Sequence, residues 1–329
     1  MASLHPLSVA PMMEYTDRHY RYFMRQITRR TLLYTEMVTA IAILRGDRDK
    51  LLGFSPEEHP IALQLGGDNP DELGKAIEVA ELYGYDEYNI NIGCPSDKVQ
   101  EGNFGACLMA TPERVRDMVA AMQSATDKPV TVKHRIGIDG RESYEELVEF
   151  VETVNEVRPN RFTVHARIAI LDGLSPKENR NIPPLRYEDV YRLKREFPAL
   201  EIEINGGIKS LDEVEQHLAR VDAVMVGRAA YDNPFIFAEA DERIFGEERR
   251  RLSRRDVVEG VYEYIDRVQE AGYHPRSVIR HMLGLFAHQP GSRRWKQSLS
   301  GPLPDDLPGS RILKDALERV PSDILDGVA

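Results

Sequence analysis

The sequence predicts a closed parallel (β/α)₈ TIM barrel followed by a small all-helical domain, with residues 1–244 in the barrel and 245–329 in the helices. Three observations carry this expectation. Eight short apolar or alternating runs recur along the chain, most are separated by stretches of helical period, and strand signals cease after Pro234. Strands that alternate with helices pair in parallel through right-handed crossovers, and eight such units close a barrel. An open doubly wound sheet is the structural alternative, disfavoured by the number of units.

In order, the runs are LSVAPM near residue 8, TLLYTEM at 31, PIALQLGG at 60, EYNINIG at 87, PVTVKHRIG at 129, RFTVHARI at 161, EIEINGG at 201 and AVMVGRA at 223. Between them lie PDELGKAIEVAELYG, PERVRDMVAAMQSA, YEELVEFVETVNEV and LDEVEQHLA, several preceded by a side chain able to cap the first turn. From Leu171 to Leu185 the segment LDGLSPKENRNIPPL has no period and is rich in Pro, Asn and charge, which predicts a long loop after the sixth strand. Beyond it, VVEGVYEYIDRVQEAG, SVIRHMLGLFAHQP and SRILKDALERV read as amphipathic helices.

The chain of 329 residues is 42% hydrophobic and 29% charged, and no stretch approaches the roughly 20 apolar residues of a membrane span. The amino-terminal MASLHPLSVAPMM lacks the pattern of a signal peptide, so a cytoplasmic protein without a membrane role is expected. Two cysteines, Cys94 and Cys107, are too few for a disulfide scaffold and lack the spacing of a zinc site, and no metal is expected. A net charge of -11 argues against a uniformly basic surface. The charge is uneven, however: residues 249–300 carry eleven Lys and Arg against five Asp and Glu, +6, leaving -17 elsewhere. Binding of a polyanion is therefore expected to be regional.

Catalytic residues of such barrels sit at the carboxyl ends of the strands. There the sequence places Gln64, Asn91 with Cys94, Lys133 with Arg135, His165 with Arg167, Asn205-Gly206-Gly207 and Gly227-Arg228. The motifs INGGIKS and MVGRA combine close backbone approach, a helix beginning near Ser210 and the fixed charge of Arg228, which makes a phosphate cradle. Each motif alone is also compatible with an ordinary glycine turn. Lys133 lies inside an apolar run, where an unpaired ammonium is costly, so it should face a ligand or a carboxylate. A cation there suits the anionic edge of a reduced flavin, and Gln64 with the backbone at Pro11, Met12 and Met13 suits a flavin's pyrimidine edge. Cys107, in the glycine-flanked QEGNFGACLM, is favoured over Cys94, in NIGCPS, as the functional thiol; Cys94 suits packing at a tight turn.

Together SVAPM, YTEM, HPIALQLGG, NINIGCPSDKVQEGNFGACLM, VTVKHRIG, VHAR, LSPKENRNIPPL, INGGIKS and VMVGRA closely resemble the tRNA-dihydrouridine synthases, specifically their A subfamily, across residues 7 to 245. His134 in VKHRIG departs at a variable place without disturbing Lys133 or Arg135. The resemblance implies FMN as cofactor, NADPH as electron source, and D-loop uridines of tRNA, at positions 20 and 20a, as substrate. It implies FMN contacts at Pro11, Met12, Met13, Gln64, Lys133, His165, Asn205, Gly206, Gly207, Gly227 and Arg228, and a catalytic cysteine at Cys107.

The chemistry of uracil then sets the roles: hydride reaches C6 and a thiol on the opposite face protonates C5. Arg135 or Asn91 would bond the uracil edge. The base must be everted into the barrel, at a cost offset by phosphate contacts. Arg276, Arg280, Arg293, Arg294, Trp295 and Lys296 in the basic segment, with Asn103, Lys177, Asn179 and Arg180 nearer the target, are the expected RNA contacts. No obligatory protein partner is evident. A flavin-free phosphosugar barrel, a reductase of free pyrimidines and a non-catalytic tRNA-binding module remain the alternatives.

Overall fold

The computed structural model describes residues 3–96, 99, 102–304 and 306–328. Its strands are β1 (Leu7–Val9), β2 (Leu32–Tyr34), β3 (Val38–Thr39), β4 (Ile61–Gly66), β5 (Glu87–Ile92), β6 (Val130–Arg135), β7 (Arg161–His165), β8 (Ile202–Asn205) and β9 (Ala223–Val226). Every pairing is parallel, and the ladder runs β2-β1-β9-β8-β7-β6-β5-β4, closed by β2 on β4. All eight expected strands are present and form the barrel. The two-residue β3 continues the path of β2, setting Val38 opposite Leu65 near the end of β4.

Helices cover the outside of the barrel because their caps and apolar faces are in register with the strands. Ser143 and Glu146 form a reciprocal capping box at the start of Tyr144–Asn155, which buries Leu147, Phe150, Val151 and Val154. Asp17 caps Arg18–Ile27 by accepting from the amides of His19 and Tyr20.

Alternation along the strands separates an outer apolar layer from a polar interior. On β5, Tyr88, Ile90 and Ile92 join the core while Glu87 and Asn89 face inward, both buried. Near the floor, the Arg161 guanidinium lies 2.7 Å from Glu87 and 3.4 Å from Glu203. The Tyr34 hydroxyl donates to Glu87 at 2.6 Å. Buried charges are tolerable here because each is paired and bonded.

After helix Ala240–Phe245 the described chain is helical, including Arg254–Glu259, Tyr262–Glu270, Arg276–Met282, Ser292–Ser300, Gly309–Leu317 and Ser322–Asp326. This region packs on helix Arg18–Ile27: Tyr22 and Tyr264 stack at 3.8 Å, and one continuous apolar core joins Phe23 to Val257 and Met282.

Candidate functional site

The inward-facing residues at the carboxyl ends of β4 to β9 converge on the mouth of the barrel. Lys133 on β6 donates to Asn205 Oδ1 on β8 at 3.3 Å, and Asn205 Nδ2 donates to the Met225 carbonyl on β9 at 2.8 Å. Burial, helped by neighbouring Arg135, pulls the Lys133 ammonium down to about 8, against the opposite pull of Glu203 and Cys94.

His165, at the end of β7, is held well below its ordinary value by burial and by Arg135, Lys133, Arg167 and Arg228, so the ring is neutral. Four cations thus act on one imidazole. Such a concentration of positive charge is a site for an anion.

The glycines serve two purposes. Gly206 and Gly207 have φ of 126° and 73°. A Cβ on Gly206 would lie 2.9 Å from both His165 and Leu185, and one on Gly207 2.7 Å from Leu185, so these two glycines admit the imidazole and the long loop. At Gly227 the nearest atom to a built Cβ is that of Ala10, at 4.0 Å. The backbone at the end of β9 therefore faces open space beside Arg228, whose guanidinium is exposed and donates to Asn181 Oδ1 at 2.9 Å.

Gln64 and Asn91 belong to a chain of amides. Gln64 is 2% exposed, donates to Asn89 Oδ1 at 2.8 Å and accepts from Asn91 Nδ2 at 3.1 Å. Asn91 Oδ1 in turn accepts from the amides of Gly93 and Cys94, both at 3.0 Å, which shapes the turn after β5. In the loop after β1, Pro11 and Met12 are half-buried and Met13 is 55% exposed. The Met12 carbonyl accepts from the amides of Tyr15 and Thr16.

The two thiols lie in different surroundings. Cys94 is half-buried at the end of β5 and interacts electrostatically with Lys133, Arg135 and Arg180. Cys107 lies in the 3-10 segment Gly105–Ala110, packs against the apolar core, and donates to the Phe104 carbonyl at 3.1 Å. Burial pushes its thiol upward, and the charged side chain it feels is Asp68. Each thiol is held within the turn after β5: Cys94 Sγ donates to Ser96 Oγ at 3.6 Å, and the Ala106 amide next to Cys107 donates to the Cys94 carbonyl at 2.9 Å.

Several of the other expected site residues are already engaged within the protein. Arg135 is 3% exposed and spends its Nε and Nη1 on the carbonyls of Gly93, Ile168 and Asn179, leaving Nη2. Asn179 is wholly buried, its amide bonded to the backbone of Ile170 and Leu174, so it folds the long loop and presents no surface to RNA. Lys177, Arg180 and Asn103 are exposed. Trp295 is buried, donates to the Met282 carbonyl at 3.1 Å and packs on Phe286, so it is core and not docking surface. Arg276 donates to the carbonyls of Ser300 and Gly301, and Arg280 pairs with Asp17. Arg293, Arg294 and Lys296 are exposed.

Sequence reasoning missed the groups around Asp17. Its carboxylate caps a helix and also binds Arg280 and His281, next to a cluster of Tyr15, Tyr20 and Tyr231. The signal was YTDRHY, an Asp immediately before a helical run rich in tyrosine. Among the described residues no group of His, Cys, Asp and Glu is arranged to hold a metal ion, and no helix is long and apolar enough to cross a membrane.

Comparison with known proteins agrees with this architecture. A Synechocystis tRNA-dihydrouridine(20/20a) synthase is 57% identical over 317 residues, covering 96% of this chain and 95% of the relative. The Pseudomonas aeruginosa protein of the same name is 54% identical over 311 residues, 94% of each chain. Among solved structures, an old yellow enzyme homologue from Zymomonas mobilis superposes with a TM-score of 0.53 at 12% identity, covering 73% of this chain and 89% of that one, a likeness of fold alone. The family profile described as dihydrouridine synthase (Dus) matches residues 8–303, and the chain belongs to that family.

Proposed function

We propose that this protein reduces uridines at positions 20 and 20a in the D loop of tRNA to 5,6-dihydrouridine, using FMN recharged by NADPH, in the cytoplasm. The observation that carries the reading is the concentration of positive charge from Lys133, Arg135, Arg167 and Arg228 on neutral His165 at the mouth of the barrel, where Lys133 reaches across to Asn205. The names of the relatives supply the substrate.

The residues fit a flavin mononucleotide. The open space over Gly227 is what a Cβ would fill, and the adjoining Arg228 and Gly207 offer charge and backbone donors for a phosphate. Lys133, Asn205, His165, Gln64 and the Pro11–Met13 backbone would line the ring, with Lys133 giving a cation for an anionic edge. When bound, reduced FMN supplies hydride from N5 to uracil C6.

The protein's own part is to hold the base and deliver a proton. Hydride at C6 places electron density on C5 and O4, so C5 must be protonated. We assign that proton to Cys107, in the glycine-flanked segment after β5, whose thiol is pushed upward by burial and so stays protonated until C5 needs it. The Arg135 Nη2, left by its three backbone bonds, would bond the uracil edge and stabilise the developing charge. Solvent then reprotonates the thiolate. Exposed Lys177, Arg180, Arg293, Arg294 and Lys296 supply cations for the RNA phosphates. Mass spectrometry of tRNA from cells lacking the protein tests the reading: loss of the two-hydrogen increment at D-loop uridines is expected, and an unchanged pattern would reject it.

A further inference from the structure

The loop after β1 carries an aromatic side chain that the site described above does not use. Tyr15 is 42% exposed, two residues beyond Met13, which is 55% exposed. Glu14 between them adopts φ of 68°, outside the ordinary range for a side-chain-bearing residue, and its amide donates to Glu36. A non-glycine residue persists there only when its surroundings fix it, which points to a required placement of its neighbours.

The Tyr15 ring is set rigidly. Its centroid lies 4.4 Å from that of Tyr231, which in turn contacts Tyr20 at 5.6 Å and His281 at 5.7 Å. The Tyr15 amide is tied to the Met12 carbonyl at 3.1 Å. Arg180, exposed on the long loop, interacts electrostatically with Tyr15, and the Tyr231 hydroxyl donates to the Arg280 carbonyl at 3.4 Å.

We propose that Tyr15 is a stacking shelf for the nucleobase adjacent to the uridine that enters the barrel. The inference rests on the proposed RNA substrate. Eversion of one base exposes the face of its neighbour in the strand, and a fixed aromatic plane recovers the lost stacking without reading sequence. Exposed Arg180 complements a phosphate beside such a base. An exposed ring on a solvent-facing loop would otherwise be free to move, whereas this one is held by a second ring and a strained backbone.

The test uses Tyr15→Ala, Tyr15→Phe and Tyr15→Trp in the flavin-loaded full chain. Tyr15→Ala should lower kcat/KM for tRNA roughly ten-fold while flavin content and its reduction by NADPH stay at the wild-type level, and Tyr15→Phe should restore turnover. The sole native tryptophan, Trp295, is buried, so Tyr15→Trp adds an exposed reporter whose emission should fall when tRNA is added. Equal kcat/KM in Tyr15→Ala, or tRNA binding that leaves the reporter unquenched, overturns the shelf alone. A wild-type chain that binds no tRNA would overturn the functional reading and the shelf with it.

Discussion

Lys133 Nζ lies 3.3 Å from Asn205 Oδ1, a bond that crosses the barrel interior from β6 to β8 past the intervening β7. A neutral amide oxygen is a weak partner for a buried ammonium. The charge remains available to a ligand, and burial, helped by Arg135, is what lowers the lysine to about 8. The unfolded lysine titrates near 10.5, so across the interval from about 8 to 10.5 the unfolded chain holds more protons and stability rises with pH. An anion in the mouth reverses the preference by favouring the charged form. Affinity for FMN should be flat below about pH 8 and fall above it, and Lys133→Met should bind more weakly with that dependence removed. Fluorescence of released FMN against pH measures both; a wild-type profile that stays flat through pH 9 rules out the role.

Substituting the two cysteines tests the assignment of the proton donor. Cys107→Ala should lower single-turnover reduction of tRNA by on the order of 10²–10⁴-fold while flavin remains bound, the usual effect of losing a positioned acid. Cys94→Ala should stay within a few-fold of wild type and show its effect on stability, by about 1 kcal/mol, since it removes a half-buried thiol from the turn after β5. The reverse pattern would move the proton donor to Cys94.

What was legible in the sequence followed from periodicity. The eight barrel strands were apolar runs, and Lys133, His165 and Asn205 stood out as polar residues at their ends. The packing of the two thiols was not legible, because the bonds of Cys94 to Ser96 and of Cys107 to the Phe104 carbonyl depend on how the segment after β5 folds back on itself. Counting charge in residues 249–300 likewise could not separate surface from interior. Trp295 and Leu299, one helical turn apart, are buried in helix Ser292–Ser300, whereas Arg293, Arg294 and Lys296 are exposed. That distinction was available from helical spacing in principle. Asn179 was misread because a loop amide that folds its own backbone looks the same in sequence as one that faces solvent.

Asp17 joins the barrel to the helical region, and its protonation should weaken that joint. Burial alone would raise the carboxyl, but His281, the Tyr20 amide and Arg280 outweigh it and hold the group well below the usual carboxylate range. A depressed carboxyl contributes stability that is complete above its unfolded value of about 4 and is lost as pH falls below it. Asp17→Asn should therefore lower Tm at neutral pH, with a loss of about 1–2 kcal/mol for the cap and buried bonds together. The gap between variant and wild type should narrow as pH falls from about 4 toward 2. A gap that stays constant through the acid range would show that the charge of Asp17 is not what holds the two parts together.

The exposed cations of helix Ser292–Ser300 give a prediction about RNA that is independent of catalysis. Arg293, Arg294 and Lys296 are exposed, and none forms an ion pair among the described residues. Their replacement by alanine leaves no carboxylate unpaired and should leave Tm within about 1 °C of wild type. If they neutralise phosphates, each one lost releases fewer counterions on binding, and the slope of log affinity against log salt should fall by about 1 per phosphate contact removed. The triple variant should therefore bind tRNA more weakly at low salt and converge with wild type as salt rises. FMN content and NADPH oxidation should be unaffected, because these residues lie on a helix outside the barrel mouth. Unchanged tRNA affinity and an unchanged salt slope would move the docking surface away from this helix, toward Lys177 and Arg180 on the long loop.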